Sequence, residues 1–121
     1  MSIPLLICDD SNMARKQVAR SLPPEWDVSV SFAKNGIEGL QAIREGKGEM
    51  LFLDLTMPEL DGYGVLDAIK AEGLKTMIIV ISADIQPEAR ERVIKAGALD
   101  FIRKPINQEK LSEVLNKYGL L

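Results

Sequence analysis

The chain contains no histidine. That absence excludes a histidine-based catalytic triad and makes a zinc site a poor fit, because both chemistries lean on imidazole. The single cysteine, Cys8, excludes an internal disulfide. Its place inside an apolar run marks it as a buried structural thiol rather than a nucleophile. No apolar run approaches the roughly 20 residues of a membrane span, and the N-terminus lacks the basic flank and apolar core of a signal peptide. A cytoplasmic setting with no membrane contact is therefore expected. Lys and Arg are scattered and the formal net charge is −3. Direct nucleic-acid binding is disfavoured, since the phosphate backbone demands a concentrated basic face. The pairs Gly46-Lys47-Gly48 and Gly62-Tyr63-Gly64 stop short of the third glycine of a dinucleotide fingerprint, which argues against a nucleotide-binding enzyme.

What is present is the composition of a globular domain: 121 residues, 46% hydrophobic and 27% charged. A chain of this length buries about two-thirds of the surface it exposes when unfolded, and residues 1–121 are read as one domain without repeats or linkers. Short apolar runs alternate with amphipathic stretches, the pattern of βα units around a parallel sheet. Strands are expected near Leu5–Cys8, Val28–Phe32, Met50–Leu53, Met77–Ile81 and Leu99–Ile102. The first, third and fourth are apolar throughout and should be buried on both faces. The second alternates, as an edge strand with one wet face would. Ser11 caps the first helix, whose inner face carries Ala14, Val18 and Leu22 before Pro23-Pro24. The second helix, from about Gly36 to Glu45, places Ile37, Leu40 and Ile43 at helical spacing. The third turns Leu66 and Ile69 inward and ends at Gly73, the fourth runs from Pro87 to Gly97, and the fifth carries Leu111, Val114, Leu115 and Tyr118.

The ends of the strands carry the chemistry. Asp9-Asp10 follow the first, Asp54 the third, Ser82 the fourth and Lys104-Pro105 the fifth. Ligands of open α/β sheets bind outside the carboxyl ends of the strands, so these polar groups fall on one rim. Three carboxylates there repel one another unless a cation neutralises them, and a hard divalent ion such as Mg²⁺ suits oxygen ligands. A lysine and a hydroxyl beside them suit phosphoryl oxygens.

In this order and spacing, with Asp54-Leu55-Thr56-Met57-Pro58-Glu59-Leu60-Asp61-Gly62 and Ser82-Ala83, the chain resembles the receiver domain of two-component response regulators over essentially its whole length. The resemblance implies a flavodoxin-like (βα)5 fold, a five-stranded parallel sheet in strand order 2-1-3-4-5 with helices on both faces. It implies Asp54 as phosphoacceptor, with Asp10 and Asp54 holding Mg²⁺ directly, Asp9 acting through water and the Thr56 backbone carbonyl as a further ligand. Lys104 and Ser82 would meet phosphoryl oxygens, and the Lys104–Pro105 bond would be cis. Ser82 and Phe101 would form the switch, and Thr56 and Asp84 would tune dephosphorylation. Asp61-Gly62 reads as a tight turn that starts the third helix, and Met57-Pro58 as a shaping element of the acceptor loop.

The implied partners are a sensor histidine kinase or phosphotransfer protein, which would supply the histidine this chain lacks, and a downstream protein or fused output domain. The surface expected to change comprises the fourth helix, fifth strand and fifth helix, with Arg90, Lys95, Arg103 and Lys110, and it could also form a homodimer. Such a chain would catalyse only its own phosphoryl transfer and autodephosphorylation. Two rivals compete with that reading. A degenerate receiver acting as a constitutive binding module conflicts with the full set of chemical positions. A Mg²⁺-dependent phosphohydrolase would usually carry a carboxylate two residues after the nucleophile, where this chain has Thr56.

Overall fold

Every expected element forms. The computed structural model describes residues 2–84 and 86–121. Strands β1 (Ile3–Cys8), β2 (Val28–Ala33), β3 (Met50–Leu53), β4 (Met77–Ser82) and β5 (Asp100–Arg103) alternate with helices α1 (Asn12–Arg20), α2 (Gly36–Arg44), α3 (Gly62–Glu72), α4 (Pro87–Lys95) and α5 (Gln108–Lys117). The strands lie parallel in the order β2-β1-β3-β4-β5, so chain direction reverses its march across the sheet between β1 and β3. β5 begins one residue later than the apolar pattern indicates, because Asp100 is drawn into the ladder opposite Ile79.

Period-two alternation distributes the core. Leu6, Cys8, Leu51, Leu53, Ile78 and Val80 face α2, α3 and α4, and pack against Leu40, Ile43, Val65, Leu66, Ile69 and Val93. Their neighbours Leu5, Ile7, Met50, Phe52, Ile79 and Ile81 face α1 and α5, meeting Val18, Leu111 and Leu115. Trp26 closes that second layer by stacking on Phe52 at 6.0 Å between ring centroids. Burial of each large aliphatic side chain stabilises the fold by about 1.5–3 kcal/mol, which is why the three central strands tolerate no polar residue before their ends.

Local signals set the boundaries. Ser11, Asn35, Asp61 and Asn107 each cap a helix by accepting a backbone N–H from three residues further on. Gly73 ends α3 in the left-handed region at φ 65°. Among the described residues, no helix is long and apolar enough to cross a membrane.

Two expectations need correction. Ile37 does not face the core: it is 55% exposed, whereas Gly36, Gly39, Leu40 and Ile43 are buried. Spacing of 37, 40 and 43 drifts off the true stripe of 36, 39, 40 and 43, on which two glycines bring α2 close to the sheet. A Cβ on Gly39 would sit 2.8 Å from the Cys8 sulfur. On β2, the apolar face is itself partly wet: Val30 is 36% and Phe32 52% exposed, while Val28 packs against the second layer.

Gly62 joins the fold to the rim. Its N–H donates to the Leu55 carbonyl at 3.0 Å, folding the loop after β3 back onto the start of α3. A Cβ there would lie 2.7 Å from Leu55 Cα and nearer still to the Asp54 carbonyl. Gly62→Ala is therefore expected to lower stability by about 1–3 kcal/mol despite the better helix propensity of alanine. Gly64→Ala, which meets chiefly the flexible Leu60 side chain, should cost less. Urea-unfolding midpoints compare the two; equal midpoints would contradict the packing argument.

Candidate functional site

The parallel sheet delivers four strand ends to one rim. β1 ends in Asp9, 4% exposed, and Asp10, which is exposed; β3 runs into Asp54, 6% exposed. The Asp54 N–H donates to the Cys8 carbonyl at 3.0 Å, so its backbone position is fixed by the β1–β3 ladder itself. One carboxylate oxygen from each of Asp9, Asp10 and Asp54 lies within 4.8 Å of the others. These are hard oxygen donors with room for one divalent cation, the ligand set that Mg²⁺ or Ca²⁺ prefers over a soft metal.

Among the described residues, one ammonium enters this cluster. Lys104, just beyond β5, places its Nζ 2.8 Å from Asp9 Oδ2 and 3.4 Å from Asp54 Oδ1. The Lys104–Pro105 peptide is cis, as the resemblance implied. Burial works against the Lys104 charge, but the hydrogen bond to Asp9 and the Asp54 charge outweigh it and raise its pKa. The same ammonium does not rescue Asp54. Burial, reinforced by the Asp9 charge, pushes the Asp54 carboxyl up to about 6 against the pull of Lys104 and the Leu55 N–H. Beneath the rim, burial pushes the Cys8 thiol up to about 12, which removes it from nucleophilic chemistry. It rests on the Met57 sulfur at 3.7 Å and donates to the Asn35 carbonyl at 3.4 Å.

The remaining expected positions fall around this centre. Ser82 ends β4, one strand over from Asp54, and is 1% exposed, with its Oγ accepting the Asp84 N–H at 3.2 Å. Asp84 in turn accepts the Gln86 N–H at 2.9 Å. Thr56 is exposed on the loop after Asp54. Phe101, half-buried on β5, packs against the layer that holds α4. Three of the four basic residues expected on the α4–β5–α5 surface are engaged. Arg90 pairs with Asp100 at 2.8 Å, Lys95 with Glu91 at 3.1 Å, and Lys110 donates to the Pro105 carbonyl, while Arg103 is exposed.

Two residues escaped the sequence reading. Arg15, on the first turn of α1, donates to the Asp9 carbonyl at 2.7 Å and to Asn12 at 3.3 Å, pinning the backbone between the two aspartates. Asp100, 3% exposed, gathers Arg90, Tyr118 and its own neighbour's N–H. Burial opposes its charge, but these partners prevail and lower its pKa. Its position between Leu99 and Phe101 was the available signal, since a lone acid inside an apolar strand needs partners. Arg15 offered none, because helical spacing from Asp9 does not show where a long side chain folds back.

Known proteins resemble this chain in sequence and fold. A model of the response regulator receiver domain matches residues 5–116. The chemotaxis protein CheY of Bacillus subtilis is 34% identical over 113 residues, covering 93% of this chain and 94% of that protein. The transcriptional regulatory protein ZraR of Salmonella typhimurium is 31% identical over 115 residues, 95% of this chain but 26% of that protein. The chain thus spans from about a quarter to about half of the length of the longer regulators it matches and nearly all of CheY. Among solved structures, the signal receiver domain of NarL from Mycobacterium tuberculosis superposes with a TM-score of 0.85 at 25% identity, covering 98% of this chain and 96% of that one.

The raised Asp54 pKa makes a stability prediction for protein kept free of divalent cations. A carboxyl whose folded pKa lies above its ordinary value favours folding while protonated. That contribution is complete below about pH 4 and is lost as pH rises through about 6. The loss amounts to about 3 kcal/mol at pH 7. In chelator, Asp54→Asn should flatten the dependence between pH 4 and 7 and be the more stable protein at neutral pH. Urea midpoints across that range check it, and a variant less stable than wild type at pH 7 would contradict the repulsion.

Proposed function

The chain belongs to the response regulator receiver domain family of two-component and chemotaxis signalling, and we propose that Asp54 is its phosphoryl acceptor. The observation that carries the proposal is the state of Asp54: buried, pressed against two further carboxylates within 4.8 Å, and 3.4 Å from the Lys104 ammonium. An uncompensated cluster of this kind is costly to a fold and useful only to a reaction that brings positive charge and phosphorus to it.

In the proposed reaction an Asp54 carboxylate oxygen attacks phosphorus in line with the leaving group. A new P–O bond forms as the bond to the donor breaks, the phosphohistidine nitrogen of a kinase or phosphotransfer protein or the carboxylate of acetyl phosphate. Asp10 and Asp54 would hold Mg²⁺, with the Thr56 carbonyl, while Asp9 contributes through water. When bound, the ion neutralises the cluster and stabilises charge on a phosphoryl oxygen. Lys104 leaves its pairing with Asp9 to meet a second oxygen, and Ser82 exchanges the Asp84 N–H for a third. Arg15 keeps the Asp9 carbonyl fixed throughout.

The signal then passes along β4 and β5. A phosphoryl group adds roughly −1.5 to −2 charge at Asp54. Movement of Ser82 towards it opens space behind, into which the half-buried Phe101 ring turns, by packing alone because it carries no hydroxyl. Arg90, on α4, donates to the Phe101 carbonyl at 3.3 Å, so this motion reaches the α4–β5–α5 face where a downstream protein, a fused output domain or a second copy would read it. Thr56 and Asp84 flank the phosphoryl group and set its hydrolysis. Residues 1–121 act as one receiver unit that catalyses only its own phosphorylation and dephosphorylation.

Incubation with acetyl phosphate and Mg²⁺ should add one phosphoryl group, read by intact-mass spectrometry, that is absent in chelator and in Asp54→Asn. Lys104→Met should slow its appearance by about 10²–10³-fold, the usual cost of deleting one charge-stabilising group. Modification that persists in Asp54→Asn would move the acceptor elsewhere.

A further inference from the structure

The two edges of the sheet are built differently. β5 is four residues long, carries Asp100 and Arg103 at its ends, and runs into Lys104-Pro105. Shortness, charge and proline are the devices that keep an edge from pairing. β2 has six residues, Val-Ser-Val-Ser-Phe-Ala, without charge or proline, and leaves Val30 36% and Phe32 52% exposed.

Hydrogen-bond direction shows which of its backbone groups are open. The Ile3 N–H donates to the Asp27 carbonyl at 3.1 Å and the Asp9 N–H to the Ala33 carbonyl at 3.0 Å, with an unbroken parallel register from Ile3 opposite Val28 to Cys8 opposite Ala33. That alternation turns the groups of Ser29, Ser31 and Ala33 towards β1, and those of Val28, Val30 and Phe32 away from it. Beyond them, the Lys34 N–H is already taken by the Glu38 carboxylate at 3.1 Å.

We propose that this edge pairs antiparallel with β2 of a second copy of the chain, about a twofold axis at Val30. In that register Val30 faces its own counterpart and Val28 faces Phe32 of the second copy, so each open residue exchanges both backbone bonds. A shift of two residues in either direction leaves open groups unmatched. The side chains agree with the backbone: Val28, Val30 and Phe32 share one face and meet apolar partners, while Ser29 and Ser31 oppose each other on the other. Charge agrees as well. Asp27 precedes the strand and Lys34 follows it, so antiparallel pairing brings the acidic start of one strand to the basic end of the other, whereas parallel pairing would align like ends; within its own chain Asp27 accepts from Ser2 and Lys34 pairs with Glu38. The strand is thus complementary to itself, and an isologous contact of this kind closes as a dimer.

Sedimentation velocity of the full chain over a rising concentration series tests the contact, with circular dichroism to verify folding. The weight-average mass should climb from monomer towards dimer. Val30→Lys, which sets two ammonium groups on the axis, should weaken association by about tenfold or more. Val28→Lys and Phe32→Asp should each weaken it, and the double variant should recover it, because those positions face one another only in this register. Ile94→Lys, on the exposed face of α4, should leave it unchanged. A chain that stays monomeric, a dimer indifferent to Val30→Lys, a double variant that fails to recover, or a dimer lost in Ile94→Lys each overturns the proposal.

Discussion

Three carboxylates at the end of a sheet, faced by one ammonium, are the constraint on which the molecule turns. Asp9, Asp10 and Asp54 bring a carboxylate oxygen each within 4.8 Å of the others, and Lys104 bonds chiefly to Asp9. Asp54 is left with its charge disfavoured. This suits the site to a divalent cation, which would relieve a repulsion that the polypeptide alone leaves standing and, under the proposed function, offset the charge that phosphorylation adds.

The rest of the fold holds that imbalance in place. Parallel β1 and β3 hold Asp9 and Asp54 side by side through a backbone ladder, and two apolar layers pack beneath them. Glycine at 62 lets α3 start directly against the acceptor loop, and Arg15 ties the aspartate pair from above. At the far side of the sheet, Arg90 bridges α4 to both Asp100 and the Phe101 carbonyl. Under the proposed function, a change at Asp54 would reach the surface through Ser82, Phe101 and Arg90.

Much of this was legible in the residues. Apolar runs that end in Asp, Ser and Lys revealed the rim, because only a parallel sheet places the ends of successive strands together. Capping residues and the glycine at 73 marked helix ends by local chemistry that tertiary structure did not alter. What stayed hidden depended on distance in space. Ile37 matched a helical spacing and yet points outward, since glycines, silent in a hydrophobic pattern, define the packed face of α2. Arg15 and Asp100 act through partners that the sequence does not bring near: a long side chain folded back onto its own loop, and a tyrosine eighteen residues away. The open edge of β2 likewise required the direction of each backbone bond.

The central claim is that phosphorylation at Asp54 is felt across the sheet as a change in Ser82, Phe101 and α4. Amide-resolved NMR, recorded with Mg²⁺ before and after addition of beryllofluoride as a phosphoryl mimic, tests it most directly. The account predicts shifts that begin at Asp54 and Lys104 and continue through Ser82, Phe101 and the α4–β5–α5 face, all of them absent in Asp54→Asn. Shifts confined to the acidic rim, with Phe101 and α4 unmoved, would contradict it.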